Sequence, residues 1–252
     1  MTESTTVRRR RTRFSSRAEP QNVRPITSKL PTLALLLTAL TLAVLGGRMA
    51  MAGIASYQAQ AFLDSWVTPA EEPSSRAWAV AHEAAQRAVA LYPVENGEYL
   101  DRLGLVHSWQ QFRQPYGLAS AQASRSAALD AYRAAVAARP TWPDSWARLA
   151  YAKLYLLQFD REFDQALSRA AQLGPWRVGI NRELAEIGLT AWPQLDAAQQ
   201  AAIIESARRT VAYSPSEARR TYQLAEHTGM TELLCAQLEA SLKSQRGICL
   251  GN

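Results

Sequence analysis

The chain has 252 residues, of which 48% are hydrophobic and 12 each are Gly and Pro, so it can form one large domain or two small ones and is not a low-complexity protein. Its formal net charge of +6 does not indicate a nucleic-acid-binding surface, because the excess is confined to the N-terminus. Residues 1–29 hold eight of the 28 basic and two of the 22 acidic residues, which leaves 20 of each in the rest.

The N-terminal third predicts a basic tail followed by a membrane-spanning helix. Residues 1–29 are rich in Arg, Ser and Thr, have no apolar pattern and are expected to be disordered. The segment that follows, LPTLALLLTALTLAVLGG, carries no charge. A helix of that length rises about 27 Å, close to the thickness of a bilayer core. We therefore predict a transmembrane helix over 30–54, with Arg48 reaching the outer interface.

The charge distribution also predicts the orientation of this helix. Because Lys and Arg are enriched on cytoplasmic flanks, the tail is placed in the cytoplasm and the rest in the periplasm, with one pass through a bacterial inner membrane. We interpret the basic residues of the tail as the signal that orients the helix, in preference to a site that binds nucleic acid or anionic lipid. The main alternative is a secretory signal cleaved at the AMA motif of Ala50–Ala52, although its charged leader is long for a signal.

Residues 55–246 predict an all-α helical domain. Ala, Leu, Arg and Gln dominate, apolar residues recur at three- and four-residue spacing, and no segment alternates like a strand. Helix-ending prolines recur along this region at similar intervals, and proline is favoured in the first turn of a following helix. These prolines are Pro93, Pro140, Pro175 and Pro215.

A period of about 34 residues, with two helices and a closing proline, indicates tetratricopeptide-like hairpins. In the best unit, Trp146, Leu149 and Ala150 occupy the W-x-x-L-[GA] positions of the first helix. The unit before it contains an insertion that includes RQPYG. Up to five hairpins are predicted, and three or more are needed for a continuous core. They run from a pair at about 50–66 and 75–92, through the best unit at 143–175, to a last one at 216–246, before a C-terminal tail of 247–252.

Capping residues mark several helix starts. Ser214 and Glu217 have the spacing of a capping box, and Asp160 and Asp196 are predicted N-caps. The acidic run DREFD that begins at Asp160 is assigned to such a start. A calcium loop is excluded there, because the run is followed by neither the required Gly nor the Glu at the twelfth position.

The sequence contains no recognisable catalytic or cofactor motif. His82, His107 and His227 are scattered and have no partner at ligand spacing. G-x-S-x-G, H-E-x-x-H and P-loop sequences are missing. We therefore predict that the chain is not an enzyme and holds no metal and no cofactor.

The repeat alignment predicts one candidate binding surface. Tyr151 and Tyr155 lie one turn apart and are expected to face the concave groove together with Arg148, where they would contact a partner or a ligand. The alternative is that these side chains only pack or face water. In the oxidising periplasm, Cys235 and Cys249 would form a disulfide that holds the C-terminal tail on the last helix; two free thiols are the alternative.

The segment from Arg139 to Leu195, RPTWPDSWARLAYAKLYLLQFDREFDQALSRAAQLGPWRVGINRELAEIGLTAWPQL, resembles the VpsP-type polysaccharide biosynthesis proteins of proteobacteria. These are short, single-anchor proteins encoded with exopolysaccharide machinery. The likeness is strongest over this segment, and the anchor and the ALYP helix end agree in layout. Its motifs are packing motifs, so the resemblance transfers no catalytic residue.

The resemblance implies a non-enzymatic accessory or scaffold of exopolysaccharide biosynthesis or export. Its partners would be the inner membrane and protein components of a synthesis or export complex, and not nucleic acid. One alternative is a periplasmic glycan-binding module that uses Arg148, Tyr151 and Tyr155. Another is a soluble periplasmic chaperone released by signal cleavage.

Overall fold

The computed structural model of the chain describes residues 29–67 and 72–250. The predicted tail, apart from Lys29, lies outside the described residues, as do the last two residues of the chain. Helices hold 81% of the described residues and no strand occurs among them, which confirms the predicted all-α fold.

The described residues form eleven α-helices, with short 3₁₀ turns at Ala119–Ala121 and Trp192–Gln194. The helices are α1 (Lys29–Val67), α2 (Ser75–Leu91), α3 (Gly97–Trp109), α4 (Gln122–Ala138), α5 (Pro143–Tyr155), α6 (Arg161–Leu173), α7 (Val178–Thr190), α8 (Ala197–Tyr213), α9 (Pro215–Thr228), α10 (Thr231–Gln237) and α11 (Ala240–Arg246).

Among the described helices, α1 is the one that is long and apolar enough to cross a membrane. Its most apolar window has a mean hydropathy of 2.0. The predicted span of 30–54 lies within α1, but the helix continues without a break to Val67. The chain divides into two compact units, 1–44 and 45–252, so the helical unit begins before the predicted boundary at residue 55.

The C-terminal half of α1 is part of the helical repeat. The Arg48 guanidinium donates hydrogen bonds to the carbonyl oxygens of Ala90 and Leu91, both at 3.2 Å, at the end of α2. Further along α1, the buried Leu63 and Trp66 pack in one apolar cluster with alanines of α2 and with α3. These contacts explain why the unit starts inside α1, and they place the first hairpin close to the predicted pair of helices.

The remaining helices continue the repeat. α3 packs on α4, α5 on α6, α7 on α8 and α9 on α10, and each hairpin contacts the next one. The first helices of successive hairpins also touch, α5 with α7 and α7 with α9, as do the second helices α6 and α8. The helical-repeat prediction therefore agrees with the arrangement of the helices, including its five hairpins.

Packing positions of the repeat lie in the core. Leu149 and Ala150 are fully buried in α5, and the indole N–H of the buried Trp146 donates to the carbonyl oxygen of Pro140 at 2.8 Å. On α6, Phe163 and Ala170 pack in the same apolar cluster. This burial is the main stabilising contribution to such a stack, since each hairpin alone leaves its apolar face exposed.

Two of the predicted caps differ in detail from the sequence prediction. Asp196 forms a full capping box with Gln199, whose side chain accepts from the Asp196 backbone N–H. Ser214 accepts from the backbone N–H of Glu217 at 3.2 Å, but the Glu217 carboxylate pairs with Arg182 on α7 instead of returning to the cap. The predicted capping box at Ser214 is therefore only half formed. The Glu217 carboxylate that would accept from the Ser214 backbone N–H is in an ion pair with another hairpin instead.

Candidate binding groove

A groove with aromatic walls lies between α3, α5 and α7. Its cavity measures about 280 Å³, and it contains all three residues that the repeat alignment proposed, Arg148, Tyr151 and Tyr155. We call this surface the aromatic groove. Its other lining residues are Leu105, Ser108, Trp109, Phe112, Tyr132, Ala152 and Glu183.

The insertion between α3 and α4 forms one wall of the groove. The Gly117 N–H donates to the carbonyl oxygen of Tyr155 at 2.9 Å, and the Tyr155 hydroxyl donates to the carbonyl oxygen of Phe112 at 3.3 Å. The ring of Tyr116 lies 4.9 Å from that of Tyr155. The insertion is thus folded back over the end of α5, where it adds Phe112 to the groove.

A buried arginine holds the insertion in place. Arg125 on α4 donates to the carbonyl oxygens of Gln114 at 2.6 Å, Pro115 at 2.8 Å and Tyr155 at 3.2 Å. Its guanidinium also lies over the Tyr155 ring, 4.9 Å from the centroid. Two carbonyl groups of the insertion and one at the end of α5 accept hydrogen bonds in this way. The sequence showed the insertion but gave no sign that it helps to form the groove.

Tyr151 links two hairpins across the groove. Its hydroxyl donates to Glu186 Oε1 on α7 at 2.7 Å, and its ring lies 5.2 Å from that of Tyr155. Burial, and next the charge of Glu186, raise the pKa of the Tyr151 hydroxyl, so it stays a neutral donor. The two tyrosines therefore offer ring faces to an occupant, while their hydroxyls are already bonded within the protein.

Arg148 lies in the groove, but its charge is not free. It forms an ion pair with Asp101 on α3, whose side chain is 9% exposed. Burial raises the pKa of Asp101, and the charge of Arg148 opposes that shift. A carboxylate from the preceding hairpin therefore neutralises the charge of Arg148. A second cavity of about 330 Å³ adjoins the groove at this ion pair.

Glu183, on α7, is a charged groove residue that the sequence analysis missed. Its Oε2 is buried and has no hydrogen-bond partner among the described residues. Burial raises the pKa of Glu183 to about 7, while the positive charge of Arg148 acts in the opposite direction. In the sequence it is one of two acidic residues on its helix, and no spacing distinguishes it from a solvent-exposed glutamate.

Two of the three histidines meet in the first hairpins. The rings of His82 on α2 and His107 on α3 lie 4.7 Å apart, and Trp78 stacks on His82 at 4.6 Å. Burial, and then the charge of His82, lower the pKa of His107 to about 4. Within the described ranges, no three His, Cys, Asp or Glu side chains come together as a metal site. The view that the histidines are all scattered is therefore wrong for this pair, which packs as neutral rings.

The two cysteines form a disulfide in the structure. Cys235 on α10 and Cys249 have Cα atoms 5.7 Å apart. The bond closes the C-terminal segment over the last hairpin, where Ile248 is buried and Arg246 donates to the carbonyl oxygen of Val211 at 3.0 Å.

No protein-family model matches this chain, and no curated protein matches it. Its relation to VpsP-type proteins therefore stays a prediction from the residues between Arg139 and Leu195.

Proposed function

We propose that this chain is a non-enzymatic, single-pass inner-membrane accessory of bacterial exopolysaccharide biosynthesis or export, whose periplasmic helical repeats bind a segment of a partner protein. The observation that carries the binding role is the aromatic groove, which Trp, Phe and Tyr side chains line where three successive hairpins meet. The resemblance to VpsP-type proteins supports the polysaccharide setting. The apolar helix α1 supports the membrane anchor.

The chemistry of the groove favours a protein segment. Trp109, Phe112, Tyr151 and Tyr155 are all partly exposed, so their faces can take apolar side chains. The hydroxyls of Tyr151 and Tyr155 are already used in internal hydrogen bonds. An occupant that gains its affinity by inserting side chains between rings fits this wall better than one that depends on many hydrogen bonds.

A glycan is the second candidate occupant, and one observation favours it. Aromatic faces next to charged side chains are suited to stacking sugar rings, and the adjoining cavity is lined by Glu98, Asp101, Arg102 and Arg148. Arg148 and Asp101 are paired with each other, however, and Arg102 donates to Gln60 at 2.8 Å. The polar groups that would form hydrogen bonds with sugar hydroxyls are thus largely engaged in contacts within the protein.

The experiment is to compare two tyrosine substitutions in cells that make the polymer. Tyr151→Ala removes a groove wall, whereas Tyr213→Ala changes a tyrosine that is 66% exposed and outside the groove. We expect Tyr151→Ala to lower polymer output and Tyr213→Ala to leave it unchanged, with both proteins present in the membrane at normal amounts. Phe112→Ala, which alters only the insertion, serves as a second groove variant should Tyr151→Ala reduce the amount of protein.

Two results would contradict the proposal. Unchanged polymer output in both groove variants would remove the groove from this process. Binding of purified full-length protein to oligosaccharides of the polymer, lost in Tyr151→Ala, would make the chain a glycan-binding module instead. The anchor is tested separately by mass spectrometry of the mature N-terminus, where Met1 or Thr2 is expected and a start near residue 53 would indicate a cleaved signal.

A further inference from the structure

One carboxylate oxygen in the aromatic groove is buried without a hydrogen-bond partner. Glu183 Oε2 is buried without a hydrogen bond in the described part of the chain, although the residue lines an open cavity and is itself partly exposed. A buried carboxylate without a partner is costly, since neither water nor protein compensates for its lost hydration. Such a group in a cavity is therefore suited to a ligand that supplies the missing charge or donor.

The charged groups around Glu183 leave this part of the groove with unmatched negative charge. Three further carboxylates act on it, from Asp101, Asp144 and Glu186, together with two cations, Arg148 and Arg182. Arg148 is paired with Asp101, Asp144 is 2.7 Å from the guanidinium of Arg177, and Glu186 accepts from Tyr151. Arg182 is paired with Glu217. The neutral Tyr151 hydroxyl does not cancel the charge of Glu186, so the negative charges of Glu183 and Glu186 remain, and the complementary occupant is a cation and not an anion.

We propose that Glu183 binds a lysine or arginine side chain of the partner segment, whose alkyl stem lies along the aromatic wall of the groove. This inference rests on the proposed function, because it assumes that the groove takes a protein segment. In addition, it assigns Glu183 as the residue that selects the occupant and positive charge as the property that is selected.

The wall of the groove suits such a side chain. Tyr151 and Tyr155 offer adjacent rings on α5, and Trp109 and Phe112, 4.6 Å apart, face them from α3 and the insertion. Long cationic side chains bury their methylene groups against apolar surface, and their charged ends are attracted to aromatic faces. The aromatic residues would thus bind the stem and Glu183 the charged end, so neither feature alone accounts for the site.

The interaction is expected to depend on pH. Burial raises the pKa of Glu183 to about 7, so part of the population is protonated near neutral pH. A bound cation favours the ionised carboxylate, and cation binding should therefore strengthen between about pH 6 and about pH 8. A Glu183→Gln variant isolates the contribution of this carboxylate, because it keeps the titratable and charged groups that face it, namely Arg148, Arg182, Tyr132, Asp101, Asp144 and Glu186.

The test uses full-length protein in detergent micelles and small probes. N-acetyl-lysine amide carries the proposed group, and N-acetyl-norleucine amide is its uncharged counterpart with the same backbone. Glucosamine and glucose form a second pair that separates an amino sugar from a protein side chain. Binding is measured by saturation-transfer NMR at constant ionic strength, in wild type, Glu183→Gln and the control Glu226→Gln, which changes an exposed glutamate of α9 outside the groove.

We expect the lysine probe to bind wild-type protein about tenfold or more tightly than the norleucine probe, and to lose that preference in Glu183→Gln but not in Glu226→Gln. Equal binding of the two probes, or a preference that survives in Glu183→Gln, would overturn the inference. Preference for glucosamine over the lysine probe would overturn it too. If the lysine preference fails while Phe112→Ala still lowers polymer output, only the role of Glu183 is wrong and the proposed function stands.

Discussion

Lys153 on α5 and Glu162 on α6 form an ion pair of 2.7 Å inside one hairpin, and the Lys153 side chain is fully buried. Lys153 also contacts Asp160 at 2.9 Å, and Arg133 from the preceding hairpin binds the same Glu162 at 2.7 Å. The acidic run DREFD thus neutralises a buried lysine as well as beginning a helix.

Replacing this lysine should separate its charge from its volume. We expect Lys153→Ala to lower the free energy of unfolding by about 2–4 kcal/mol, because it leaves a cavity and removes the ion pairs. Lys153→Met should cost less than half as much, since it fills the space and both carboxylates are partly exposed and can be hydrated. Urea unfolding followed by circular dichroism measures both; equal losses would show that charge, and not packing, dominates.

Replacement of two glycines by alanine should change the stability of the protein in opposite directions. A Cβ at Gly104 would lie 2.5 Å from a ring carbon of the buried Tyr132, so Gly104→Ala should destabilise the protein by about 1–3 kcal/mol. A Cβ at Gly179 would meet nothing within 4 Å, so Gly179→Ala should stabilise α7 by about 0.5–1 kcal/mol. Thermal unfolding of both variants tests the packing of the repeat, and shifts of the same sign would contradict it.

Glu183 should make the protein less stable as the pH rises. Burial raises the pKa of Glu183 from 4.5 to about 7, so between these values the folded state binds a proton that the unfolded state releases. The stabilising effect of that proton is complete below about pH 4.5 and is lost as the pH rises through about 7. The melting temperature of Glu183→Gln relative to wild type should therefore increase from acidic to alkaline pH. A flat difference would mean that Glu183 is not buried as described.

The histidine pair should make the protein less stable as the pH falls. Burial, and next the charge of His82, lower the pKa of His107 from 6.5 to about 4, so the unfolded state binds the proton more readily. The stability that neutral His107 contributes is present above about pH 6.5 and is lost as the pH falls toward 4. His107→Gln should flatten this acid loss, whereas His227→Gln, at an exposed position on α9, should not. Melting curves over that pH range distinguish the two variants.

The disulfide should protect the C-terminal segment from proteolysis. Cys235 and Cys249 are 14 residues apart in sequence, and closing a loop of that size stabilises by about 3 kcal/mol. Reduction, or the double change Cys235→Ser and Cys249→Ser, should increase trypsin cleavage at Arg246, whose guanidinium is bound to the carbonyl oxygen of Val211. Cleavage at equal rates in oxidised and reduced protein would contradict this role of the bond.

The sequence predicted what depends on local pattern. Proline breaks and three- and four-residue periodicity indicated the five hairpins, and the spacing of Trp146, Leu149 and Ala150 identified a packing face, because such signals lie within one hairpin. The partners of groove residues lie in other hairpins. Arg148 is paired with Asp101, 47 positions earlier, and no local rule connects them.

The insertion between α3 and α4 shows the same limit. Its composition marked it as an irregular segment, but its role depends on Arg125, which is buried beneath it and whose side chain satisfies its carbonyl groups. Burial also decides the state of Glu183 and His107, and burial results from the stacking of hairpins. The groove and its two tyrosines could therefore be located from the sequence, but the facing aromatic residues Trp109 and Phe112 and the charge of the groove could not.

Site-specific photocrosslinking tests whether the aromatic groove binds a protein of the polysaccharide machinery. Benzoylphenylalanine is placed at Phe112 in the groove or at Trp176, which is 83% exposed and lies outside the groove, in cells that assemble the polymer. We predict that Phe112 gives a discrete adduct with a protein of the polysaccharide synthesis or export machinery, that Tyr151→Ala removes this adduct, and that Trp176 gives none. Equal adducts at both positions, or a carbohydrate adduct at Phe112, would contradict the account.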